Sequence, residues 1–259
     1  MSDTDHQREC LIVGSSHTKA LREANESCDG SEINFSEINI HWLINDKHSG
    51  TSPALGDTHF SDIVPKIRDL RTTDLFFMTI LGTFHNIIGL LRHDVNFDVF
   101  KIGDRYDEYS VYPTIIPRRA VEDMIRENIE TNTSIRRLKK ETVASCFHLA
   151  TPPPKGDNQY ISDHARNYRG QSVKEIGINP PDLRLKLYNI EMSVLAEVCR
   201  EWGIGFVPAP SEALTADGFL KPEFYANDAT HANPAYGALV LRQLADLPAG
   251  IVGAEGQST

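Results

Sequence analysis

Two short segments carry residue types that can do nucleophilic chemistry. Ser16 follows the apolar run Cys10-Leu-Ile-Val-Gly14 and stands where a helix would begin. A helix start has unpaired N–H groups that can stabilise an oxyanion, so a hydroxyl there is placed for acyl chemistry. The same position also suits a plain helix-capping serine. The second segment is Asp228-Ala-Thr-His231, just before a helical pattern that opens at Pro234. A carboxylate three residues before a histidine can hold the imidazole in one tautomer, and the imidazole can then take a proton from a serine hydroxyl. Asp228 equally suits a turn aspartate that bonds loop amides.

The elements that must position these residues alternate between strand and helix. Strands are expected at Cys10–Gly14, Ile33–Ile44, Leu75–Leu81, Val143–Ala150 and from Phe206. Helices are expected at Ser16–Ser27, Ser61–Leu70, Phe84–Arg92, from Pro117, at Leu183–Trp202 and at Pro234–Leu244. Leu75-Phe-Phe-Met-Thr-Ile-Leu81 is apolar without interruption, as in a parallel sheet buried on both faces. Residues 93–116 show no clear period. Thr151–Asp182 is polar and Pro-rich and reads as a long loop of functional or mobile character. Strand–helix alternation predicts an α/β fold with a mainly parallel sheet, whose ligands bind at the carboxyl ends of the strands. Residues 10–247 form the expected single domain, with tails at 1–9 and 248–259.

Three segments together carry a family resemblance. Leu11-Ile-Val-Gly-Ser-Ser-His-Thr-Lys-Ala-Leu21 resembles the first block of the SGNH/GDSL hydrolases in its Gly-Asp-Ser-His variety, with Ser15 in place of the Asp. Asp228-Ala-Thr-His-Ala-Asn-Pro-Ala-Tyr-Gly237 resembles their last block. Leu81-Gly-Thr-Phe-His-Asn86 resembles the middle block, which carries an Asn near that point. The resemblance covers nearly the whole chain. It implies a flavodoxin-like three-layer α/β/α sandwich around a five-stranded sheet, and a serine esterase mechanism. Ser16 would be the nucleophile, His231 the general base and Asp228 its orienter. The Ser16 N–H would be one oxyanion donor and Gly50 a second, with Gly56 the alternative. The expected Asn donor aligns with Thr83, and Asn86 or His85 could substitute. Loss of one such donor typically costs about 10²–10³ in rate. His17, His85 and Tyr160 are the candidate substrate contacts. The family's range implies small acyl esters, O-acetyl saccharides included. The same acyl-enzyme would serve an acyltransferase, and a non-catalytic carbohydrate- or acyl-binding protein is the reading from another class. Thr83 favours that last reading; the joint presence of Ser16, Asp228 and His231 opposes it.

Composition narrows the classes. With 26 basic against 36 acidic residues the net charge is −10, which leaves no basic surplus for tracking a nucleic-acid backbone. No stretch approaches the roughly 18 apolar residues of a membrane span. The polar first residues lack a secretory pattern, so a cytoplasmic protein is expected. Cys10, Cys28, Cys146 and Cys199 form no CxxC pair and read as reduced thiols. There is no HExxH, P-loop or GxGxxG, so neither metal nor cofactor is expected. Ser16-His-Thr-Lys19 fits S-x-x-K, but no Lys-Thr-Gly accompanies it.

Overall fold

The structure is a computed structural model that describes residues 8–27, 35, 37–44, 56–100 and 114–247. In chain order, β1 (Glu9–Gly14), α1 (Thr18–Ser27), β2 (Glu37–Trp42), α2 (Phe60–Arg68), β3 (Leu75–Thr79) and α3 (Phe84–Gly89) come first. They are followed by β4 (Phe97–Phe100), β5 (Thr114–Pro117), α4 (Arg118–Thr131), α5 (Ser134–Lys140) and β6 (Ser145–Leu149). After these come α6 (Asn158–His164), β7 (Asn167–Tyr168), β8 (Gln171–Ser172), α7 (Val173–Ile176), α8 (Pro181–Glu201), β9 (Gly205–Val207) and α9 (Pro234–Ala245).

The main sheet runs β2-β1-β3-β6-β9, every pair parallel. Counted among themselves, its strands have the doubly wound order 2-1-3-4-5 of flavodoxin-like folds. The period-2 geometry of a strand sends alternate side chains to opposite faces. Leu11, Val13, Phe76, Met78 and Cys146 therefore meet Ile63 and Ile67 of α2, Ile125 and Ile129 of α4, and Leu187 and Leu195 of α8. Cys10, Ile12, Leu75, Phe77 and Phe147 meet Leu21 and Ala24 of α1 and Val240 and Leu244 of α9. Two apolar layers on either side of one sheet make the three-layer α/β/α sandwich. Cys10, Cys146 and Cys199 are buried free thiols; Cys28 lies outside the described residues. No helix among the described residues is long and apolar enough to cross a membrane.

The structure differs from the sequence expectation in places where polar bonding, not apolar period, sets the chain. The expected loop at 151–182 carries α6, the β7–β8 hairpin and α7, and α8 already begins at Pro181. Arg184 is buried, and its Nη2 donates to Asn158 Oδ1 at 2.6 Å. Asn179 Nδ2 donates to the carbonyls of Gly89 and Leu91 at 3.0 and 2.7 Å. Asp157 caps α6 by accepting from the Tyr160 N–H at 3.0 Å. Ile161, Val173 and Ile178 bury a small apolar cluster beneath this segment. The featureless stretch 93–116 contributes the short parallel pair β4–β5.

Candidate active site

The site is built between the turn that follows β1 and the loop that precedes α9. At the end of β1, a Cβ on Gly14 would stand 2.4 Å from Thr79 Cγ2 and 2.6 Å from Thr79 O, so only glycine lets β1 close onto β3 here. Ser15 then donates from both its N–H and its hydroxyl to Thr79 O, at 3.1 and 3.3 Å. Thr18 Oγ1 donates back to Ser15 O at 2.6 Å. These bonds fix the tight turn that presents Ser16 just ahead of α1.

On the other side, Asn233 caps α9 by accepting from the Tyr236 N–H at 3.2 Å. Its side-chain amide donates to Glu223 O at 2.7 Å. Helices α1 and α9 pack so closely that a Cβ on Gly237 would lie 2.2 Å from Ala20 O. That contact draws His231, which precedes α9, against Ser16, which precedes α1. His231 Nε2 is 2.7 Å from Ser16 Oγ, and His231 Nδ1 is 2.8 Å from Asp228 Oδ2. Asp228 Oδ1 accepts from the N–H groups of Thr230 and His231 at 2.9 and 2.7 Å. So Asp228 bonds the loop amides and the imidazole at once.

Burial works to raise the Asp228 carboxyl, but the hydrogen bonds and charge of His231, with the Lys155 cation, outweigh it and hold it well below the usual carboxylate range. An ionised carboxylate can only accept, so the proton on Nδ1 belongs to His231 and Nε2 is left to accept from the Ser16 hydroxyl. His17 packs its ring against that of His231, centroids 4.9 Å apart. Burial, then the neighbouring His231, pushes His17 well below its ordinary value. A cavity of about 420 Å³ opens beside these groups, lined among others by Ser16, His17, Trp42, Asn227, His231 and Asn233.

The remaining sequence candidates fall elsewhere. Gly50 lies outside the described residues. Gly56 sits at φ +111°, where a Cβ would meet Leu43 O at 2.4 Å, which is a turn glycine's requirement. Thr83, His85, Asn86 and Tyr160 are not among the residues lining the cavity. Thr83 precedes α3 and makes no side-chain cap bond. The α3 amides of Phe84 and His85 donate instead to the Glu191 carboxylate at 3.0 and 2.6 Å, and His85 Nδ1 meets the same carboxylate at 2.7 Å. His85 is thus a buried partner of Glu191. The Tyr160 hydroxyl reaches Ala226 O at 3.2 Å and Asn227 Oδ1 at 3.1 Å, so it braces the Asp228 loop.

Two residues escaped the sequence reading. Glu191 is a carboxylate on the core face of α8, among Leu187, Ile190 and Val194, and that misplaced charge was the available signal. Lys155, in the run Pro152-Pro-Pro-Lys155, gave none. It is buried, donates to Ala226 O and Asp228 O at 2.6 Å each, and stands 3.6 Å from Asp228 Oδ1. Burial pulls its ammonium down to about 8, with Asp228 drawing it back up.

No family model matches the sequence. No curated protein matches it either. Solved structures do align over most of the chain. An extracellular lipase from Streptomyces rimosus is 9% identical over 92% of this chain and 99% of that one, with TM-score 0.45. A GDSL-like lipase from Bacteroides thetaiotaomicron is 10% identical over 95% and 91%, with TM-score 0.42. A carbohydrate acetylesterase family member from Sinorhizobium meliloti is 12% identical over 92% and 95%, with TM-score 0.43.

Proposed function

We propose that the protein is a serine hydrolase of the SGNH type that cleaves a small acyl ester, O-acetyl esters included, through an acyl-enzyme on Ser16. The observation that carries this reading is the continuous line from Ser16 Oγ to His231 Nε2 at 2.7 Å and from His231 Nδ1 to Asp228 Oδ2 at 2.8 Å. In this reaction Ser16 Oγ attacks the acyl carbonyl as its proton passes to His231 Nε2, while Asp228 stabilises the imidazolium. The tetrahedral oxyanion is met by the Ser16 N–H, in the turn just ahead of α1. The alcohol leaves with the proton from His231, and water attacks the acyl-enzyme by the same relay in reverse. A binding cleft alone has no use for an aligned Ser–His–Asp, which weighs against the non-catalytic alternative.

Short-chain p-nitrophenyl esters test the reading. Wild-type protein is expected to release p-nitrophenol, fastest for acetate among straight-chain acyl groups, and Ser16→Ala is expected to fall to background. Equal rates in wild type and Ser16→Ala would overturn it.

A further inference from the structure

A buried cation is unfavourable unless its donors are met, and a buried ion pair is weak evidence for stability. Lys155 is such a cation: only 1% of its side chain is exposed. Its Nζ donates to the backbone carbonyls of Ala226 and Asp228 at 2.6 Å each and faces Asp228 Oδ1 at 3.6 Å. The rings of Tyr160 and Tyr225 lie on it, each centroid 5.2 Å away. The Asp228 side chain, by contrast, is 42% exposed, so packing does not hold it in place. What holds it is bonding to its own loop, and the carbonyls of the two residues that flank Asn227, Ala226 and Asp228, converge on Lys155.

We propose that Lys155 is a positioning residue for the Ser16 reaction: its ammonium ties Ala226 O to Asp228 O and thereby keeps the Asp228 carboxylate in line with His231. The role acts through Asp228 and His231, since Lys155 does not line the cavity. It rests on the hydrolase reading for its kinetic effect but not for its structural one.

Lys155→Met keeps an unbranched side chain, one atom shorter, and removes every donor. With that variant folded as judged by circular dichroism, fluorophosphonate labelling of Ser16 is expected to slow by about 10²-fold, the penalty of a misplacement near 1 Å. In an Asp228→Ala background the same substitution is expected to change the rate by less than about 3-fold, because the group it positions is gone. The low-field proton resonance of His231 Nδ1–H is expected to disappear in Lys155→Met and to be present in wild type. If Lys155→Met does not fold, Lys155→Gln, which keeps one amide donor group, is compared in the same way. Retention of the resonance together with a near-wild-type labelling rate would overturn the proposal, as would an undiminished loss in the Asp228→Ala background. Absence of labelling in the wild type would defeat the hydrolase reading alone, and the resonance would still decide the positioning role.

Discussion

Gly237→Ala should separate Ser16 from His231 without touching either. The added Cβ would stand 2.2 Å from Ala20 O and 2.6 Å from its carbonyl carbon, both backbone atoms of α1. A relaxed carbon–oxygen contact is about 3.3 Å or more, so α1 and α9 must part by about 1 Å. Ala20 is one helical turn beyond Ser16, so much of that shift is transmitted to the 2.7 Å Ser16–His231 bond, which then leaves hydrogen-bonding range. Overpacking of this kind typically destabilises by about 1–3 kcal/mol. A misplacement of about 1 Å costs about 10²-fold in rate. The assay pairs a thermal melt with the second-order rate of Ser16 phosphonylation. The expected result is a lower Tm and a labelling rate down by about 10²-fold at a temperature where the variant is fully folded. A variant that melts lower yet labels at the wild-type rate would refute the claim that the α1–α9 contact sets the Ser16–His231 distance.

Other perturbations have equally definite outcomes. Asp228→Asn is expected to lower ester turnover by about 10⁴-fold with the fold intact, since an amide can stabilise the wrong imidazole tautomer; steady-state kinetics beside circular dichroism measures this. Burial holds His148 down to about 4 from an ordinary 6.5, against smaller upward effects of its bond to Leu149 and of Glu191. The unfolded chain therefore binds a proton there that the folded chain does not, so stability is full above pH 6.5 and declines as pH falls toward 4. Denaturant titrations should show His148 alone contributing a loss of roughly 2 kcal/mol between pH 7 and pH 5, a slope that His148→Gln flattens. Glu191→Ala strips the acceptor from the Phe84 and His85 amides and from His85 Nδ1, and is expected to destabilise by about 3–5 kcal/mol in the same titration.

Much of this molecule is legible in its sequence, for local reasons. Leu75–Thr79 reads as a central strand because a strand buried on both faces has no polar alternation to blur it. Ser16, Asp228 and His231 are legible because each sits beside a strong boundary signal, a strand ending in glycine or a helix opened by proline. The segment from 151 to 182 is illegible by period because Arg184 and Asn179 hold Asn158 through hydrogen bonds between residues distant in sequence. Lys155 is missed for the same reason, since its partners are backbone carbonyls that any sequence would offer. Tyr160 and His85 look like ligand contacts in sequence, but the Tyr160 hydroxyl is engaged by Ala226 and Asn227, and His85 Nδ1 by Glu191.

The central claim is that His231 and Asp228 activate the Ser16 hydroxyl. The most direct test is incubation of the full chain with a fluorophosphonate and mapping of the adduct by mass spectrometry. A single stoichiometric adduct on Ser16 is expected, lost in Ser16→Ala and in His231→Ala. A well-folded wild-type protein that forms no adduct, or one that labels as fast without His231, would contradict it.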